Sequence, residues 1–65
     1  MTAAEFNSRY PVGTPVFYHP IIGKPEGRET RTRSEAWELG NGEPVVKIEG
    51  LTGGVCLDAL TILVD

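Results

Sequence analysis

The sequence predicts a mainly β domain: a small antiparallel barrel, or a strongly bent sheet of four to five strands, with a short N-terminal helix. Three observations carry this. Short runs alternate polar and apolar residues with a period of two, as in Val45 to Glu49. Clusters of Gly, Pro and Asn separate those runs at 19–27, 40–43 and 50–54. The last third then reads as a strand, a Gly53-Gly54 turn, a short strand, one tight helical turn and a final strand. Sixty-five residues make a single domain, 1–65.

Thr2-x-x-Glu5 has the spacing of a capping box, which predicts a helix over 3–9. Phe6 and Tyr10, four apart, would share one helix face and pin it to the sheet. Pro11 ends it, because the residue before proline avoids helical backbone angles. The first strand is expected over 12–18, with Val12, Thr14, Val16 and Tyr18 on one face and Pro15 marking a strand edge. A loop over 19–27 follows. Residues 28–39 form the second strand, with Trp37 and Leu39 turned inward. Asn41-Gly42 predicts a type I′ hairpin turn. The third strand spans 45–49 and buries Val46 and Ile48. Val55 and Leu57 point inward from the next, 58–60 make the tight turn, and 61–64 close the barrel. The expected core is Val16, Tyr18 or Phe17, Trp37, Leu39, Val46, Ile48, Val55, Leu57, Leu60 and Ile62.

Composition narrows the function classes. An apolar share of 40 % favours a folded domain. A chain this short buries only roughly 60 % of its unfolded surface, so its core must be compact. The single cysteine, Cys56, can form no internal disulfide, which points to a cytoplasmic protein. No segment approaches the roughly 20 apolar residues of a membrane span. Residues 1–6 have neither a basic start nor an apolar run, so no signal peptide is expected. Charge is divided unevenly. Residues 1–34 carry five cationic against three anionic side chains, net +2, and residues 35–65 carry one against six, net −5.

The residues that could do chemistry are few. His19, the only histidine, has no Cys or His at metal-ligand spacing, and no metal or other cofactor is expected. Cys56 alternates away from Val55 and Leu57 and has no basic neighbour to activate it. The glycines lack phosphate-loop spacing. The expectation is therefore a protein that binds and does not catalyse. Two surfaces could do so. Glu35, Glu38, Glu43, Glu49 and Asp58 could imitate a phosphate backbone and fill a basic nucleic-acid channel of another protein. Alternatively, Arg28, Arg31 and Arg33 could hold nucleic acid directly, although a negative total charge disfavours this.

Two resemblances arise. The segment Gly50-Leu-Thr-Gly-Gly-Val-Cys-Leu-Asp-Ala-Leu-Thr-Ile-Leu63 resembles the closing part of SH3-like barrels. It lacks the Ala-Leu-Tyr-Asp-Tyr start and Pro-Ser-Asn-Tyr ending of peptide-binding SH3 domains, so proline-rich ligands are not implied. Across nearly the whole chain, Tyr10-Pro-Val-Gly-Thr-Pro-Val16, Thr32-Arg-Ser-Glu-Ala-Trp-Glu-Leu-Gly40 and Pro44-Val-Val-Lys-Ile-Glu-Gly50 resemble small proteins of phages and bacterial mobile elements. That likeness implies no activity, only a setting: small acidic phage proteins without enzymatic motifs often block a host machine, anti-CRISPR proteins being the best-known group, so the expectation is an inhibitor working in the host cytoplasm on a host protein or complex with a basic surface. A fainter similarity is to the plasmid-borne SH3-like dihydrofolate reductase. That enzyme's Val-Gln-Ile-Tyr pore motif has no counterpart here, where Val55-Cys-Leu-Asp58 stands.

Overall fold

A computed structural model describes residues 1–63. The elements run α1 (Ala3–Arg9), β1 (Pro15–Tyr18), β2 (Arg28–Arg31), β3 (Trp37–Glu38), β4 (Pro44–Lys47), β5 (Gly54–Cys56), a 3₁₀ turn (Leu57–Ala59) and β6 (Leu60–Ile62). The architecture is mainly β: two three-stranded antiparallel sheets, ordered β2-β1-β6 and β3-β4-β5, with one short helix. An isolated bridge, Thr32↔Ile48, joins them. It is flanked by bonds from Glu49 N–H to the Arg31 carbonyl and from Arg33 N–H to the Lys47 carbonyl, at 3.0 and 2.9 Å. Among the described residues no ladder closes the two sheets into a barrel.

The helix forms where the capping box predicts. Glu5 N–H donates to Thr2 Oγ1 at 3.1 Å, and Thr2 N–H donates to Glu5 Oε1 at 2.8 Å. Ala3 and Phe6 are buried in the core, and the Phe6 and Tyr10 rings meet at 5.1 Å. Seven residues form no stable helix alone, so this packing holds α1 in place. A second tie is less obvious. Asn7 Nδ2 donates to the Ala36 carbonyl at 2.9 Å, while Ala36 N–H donates to Asn7 Oδ1 at 2.8 Å. The side-chain amide pairs with Ala36 as a neighbouring strand would.

Several expectations need correction. The first strand begins at Pro15 rather than at 12, and Val12 is exposed. Pro15 is in the central strand of its sheet, not at an edge. It is tolerated as the strand's first residue, at the end of the β1–β6 ladder, where one missing donor breaks no continuous pairing. The expected second strand is two: β2 joins the first sheet and β3 the second, with a bend at 33–36 between them. Trp37 and Leu39 do not turn inward; they are 38 % and 43 % exposed. Thr32 and Ala36 are the buried residues of this stretch: Ala36 packs in the core cluster with Ala3 and Phe6 of α1, and Thr32 lies at the bridge to Ile48.

The type I′ turn is also corrected. Asn41 has no positive φ, and Gly42 alone adopts one, +85°. Gly42 N–H donates to the Leu39 carbonyl and Leu39 N–H to the Glu43 carbonyl, giving a three-residue hairpin loop with a left-handed glycine. The Asn41 side chain instead accepts from Glu43 N–H at 3.0 Å. The tight turn lies at 57–59, one residue earlier than expected. The closing strand is Leu60–Ile62, and the expected extension to Val64 lies outside the described residues.

Val16, Val46 and Ile48 are fully buried, and Tyr18, Val55, Leu57, Leu60 and Ile62 pack around them, as the period-two pattern requires. Gly27 shows how tightly the first sheet is built. A Cβ there would overlap the Tyr18 carbonyl oxygen and press on the Phe17 ring.

Candidate functional site

The second sheet has an inner and an outer face. Val46 on β4 and Ile48 just after it point into the core, so Val45 and Lys47 start outward. The register Trp37↔Val45↔Cys56 puts those three side chains in one row on the outer face. Lys47 faces Gly54 in the next row of that face. Glu43 pairs with Leu39 at the opposite end. Val45 is nevertheless buried, because the indole lies across the strands. Trp37 Cη2 and Cζ2 come 3.0 and 3.2 Å from the place of a Gly54 Cβ, with Val45 Cγ2 at 3.3 Å. A Cβ there would press on the ring and on Val45, so glycine lets the indole sit close.

The five carboxylates expected to act together divide by position, and all are exposed. Glu43 and Asp58 converge on Cys56. The Asp58 backbone N–H favours the thiolate. Partial burial, hydrogen bonding toward Glu43 and the charges of Glu43 and Asp58 oppose it and win, so the thiol is pushed above its ordinary range. Cys56 is thus held as a neutral thiol, the reverse of what a nucleophile or metal ligand needs. Glu38 belongs to the same hairpin but starts on the other face, opposite Pro44. Glu49 lies apart, beside Arg31, with Arg31 Nε 3.8 Å from its Oε1. Glu35 occupies the bend before β3. On the outer face Glu43 therefore lies beside Leu39, in line with Trp37 and Val45, and Asp58 is in the turn that follows Cys56. Charge asymmetry in the sequence hints at the acids. The exposed aromatic carries no such signal, since a lone Trp in a strand reads as core.

The three arginines of the alternative surface are differently employed. Arg33 Nε donates to the Ile48 carbonyl at 3.0 Å, and its Nη2 donates to the carbonyls of Leu51 and Thr52 at 2.8 and 3.2 Å. This guanidinium ties down the β4–β5 loop. Arg31 meets Glu49, and the Arg28 guanidinium lies against Gly50.

His19 Nε2 stands 3.0 Å from Thr61 Oγ1, and its ring packs against Phe17 at 5.0 Å. Its Nδ1 is buried without a hydrogen-bond partner, so no acid orients the ring as a catalytic triad requires. Among the described residues no group of three His, Cys, Asp or Glu side chains is arranged to hold a metal ion, and no helix is long and apolar enough to cross a membrane. Compared with protein-family models, with curated proteins and with solved structures, the chain matches none.

Proposed function

We propose that this protein is a non-catalytic binding protein that occupies a basic surface of a host nucleic-acid-processing complex, as phage inhibitors of the anti-CRISPR kind do. The observation that carries the proposal is the exposure of Glu38, Glu43 and Asp58 on the β3–β4 hairpin and the turn that follows β5. Glu38 is in β3, Glu43 is tied to Leu39 at the hairpin end and Asp58 is in the 3₁₀ turn, so the backbone sets their spacing before binding. Fixed negative charge on a small body steers it toward a basic channel and excludes the nucleic acid that would otherwise enter. The finer architecture in this reading is SH3-like. The strand order and the 3₁₀ turn before the last strand support it.

Direct nucleic-acid binding through Arg28, Arg31 and Arg33 has less support, because Arg33 already serves three carbonyls and Arg31 a carboxylate. The test compares wild type with Glu38→Gln/Glu43→Gln/Asp58→Asn as bait for host extract. Wild type should retain a nucleic-acid-binding complex, release it to excess double-stranded DNA, and lose it at high salt. The neutralised variant should retain none. Equal capture by both proteins, or capture indifferent to DNA, refutes the reading. A DNA and RNA mobility-shift series with salt tests the arginine alternative, which requires affinity to fall steeply as salt rises.

A further inference from the structure

We propose that the outer face of the second sheet around Trp37 is a docking surface for an arginine-bearing segment of another protein. The proposal rests on the acidic-surface reading above and narrows it to one place and one side-chain chemistry.

Trp37 and Leu39 are large apolar side chains left 38 % and 43 % exposed on paired strands, where the backbone fixes their direction. The indole is seated from below, with its ring edge over Gly54 and Val45 packed beside it, so its outer side is presented ready-made. An aromatic held rigid before binding loses little conformational freedom on contact, which is why Trp so often anchors interfaces. The rim selects the occupant. Glu43 stands at the Leu39 end of this face, Asp58 is in the turn that follows Cys56, and Lys47 faces Gly54 at the other end. A guanidinium fits both features at once. Its plane stacks on an indole, and its fork of N–H donors matches carboxylates. An ammonium carries the same charge but stacks less well and holds its water more tightly. A nucleic-acid base could stack on Trp37 too, but its phosphates would meet Glu43 and Asp58.

Trp37 is the only tryptophan, so its emission reports this surface alone. The experiment titrates wild type at low salt with hexa-arginine, hexa-lysine and a six-nucleotide oligothymidine. Hexa-arginine should change the emission saturably and bind about two- to fivefold tighter than hexa-lysine. Glu43→Gln/Asp58→Asn should weaken both peptides, while Glu49→Gln, beside Arg31, should leave them unchanged. Trp37→Leu, followed by calorimetry, should bind the two peptides equally. The proposal is overturned by the absence of a saturable change or by equal arginine and lysine affinity in wild type. Unaltered binding to Glu43→Gln/Asp58→Asn, or a response to the oligonucleotide in place of hexa-arginine, overturns it too. If the peptide arms fail while neutralisation still abolishes host capture, the docking place is wrong and the acidic-surface reading stands. If they succeed while capture survives neutralisation, the docking place stands and that reading falls.

Discussion

Replacing Asn7 tests the least expected contact in the fold. Its amide makes two hydrogen bonds to one backbone residue, Ala36, at 2.9 and 2.8 Å. Each such bond contributes about 1 kcal/mol net, and leaving a shielded partner unpaired costs at least as much. Asn7→Ala removes both and should cost about 2 kcal/mol, because Ala36 is buried and water regains its N–H and carbonyl only in part. In a domain of this size that lowers Tm by about 8–16 °C. Asn7→Asp is the sharper variant, since it keeps the shape. Ionised, it turns an oxygen toward the Ala36 carbonyl where a donor stood. Protonated, it can donate again. Its folded pKa must then lie above the unfolded value, so its contribution to stability is present below the unfolded pKa and lost as pH rises through the folded one. Thermal melts of both variants from pH 3 to pH 7 give the answer. Asn7→Asp should be much weaker than wild type at pH 7 and close to it at pH 3. Asn7→Ala within about 0.5 kcal/mol of wild type, the range of inert surface changes, or an Asn7→Asp deficit independent of pH, refutes the reasoning.

The remaining predictions use the same logic. Gly27→Ala must push against the Tyr18 backbone and should cost about 1–3 kcal/mol by overpacking, whereas Gly53→Ala, which meets nothing within 4 Å, should be near neutral in urea unfolding. The Glu5 carboxyl is held below its ordinary range, first by the hydrogen bond from Thr2 N–H. Its contribution is present above the unfolded pKa and is lost as pH falls through the folded one. Glu5→Gln should therefore flatten the acid limb of a helix-monitored melt, and an unchanged limb counts against the capping box. The Cys56 thiol should alkylate slowly at pH 8, and Glu43→Gln/Asp58→Asn should speed it, because both carboxylates disfavour the thiolate. No change in rate would separate those carboxylates from Cys56. Arg33→Ala should cost about 1–2 kcal/mol through its bonds to the β4–β5 carbonyls, and a chemical melt matching wild type would reject that structural role.

What the sequence disclosed depended on how local the cause was. The capping box is complete within four residues, and α1 falls where those residues put it. Val46 and Ile48 are buried because a period of two, once anchored, leaves one choice of face. The failures have causes remote in sequence. The hairpin adopts its three-residue form although Asn-Gly favours the two-residue turn, with Leu39 and Glu43 fixing the pairing. Hydrophobicity alone turns Trp37 and Leu39 inward, yet the parity of the buried Thr32 and Ala36 runs the other way. Choosing between them requires knowing that Ala36 packs with α1, and Asn7 is 29 residues from Ala36.

The same contact links the fold to the site. Trp37↔Val45 and Leu39–Glu43 are the pairs through which β3 bonds to β4, so by alternation the backbone polar groups of Glu38, and of Ala36 just before the strand, point away from the sheet. Asn7 covers those of Ala36. An uncovered edge strand recruits other strands, and here that would bring a second chain beside the Trp37 face. By satisfying Ala36 from a helix, the protein covers the start of the β3 edge while leaving the outer face of Trp37 and Leu39 open. Side-chain docking is thereby separated from backbone association. Asn7→Ala should consequently form dimers in sedimentation at concentrations where wild type does not, and hexa-arginine should still bind their exposed indoles.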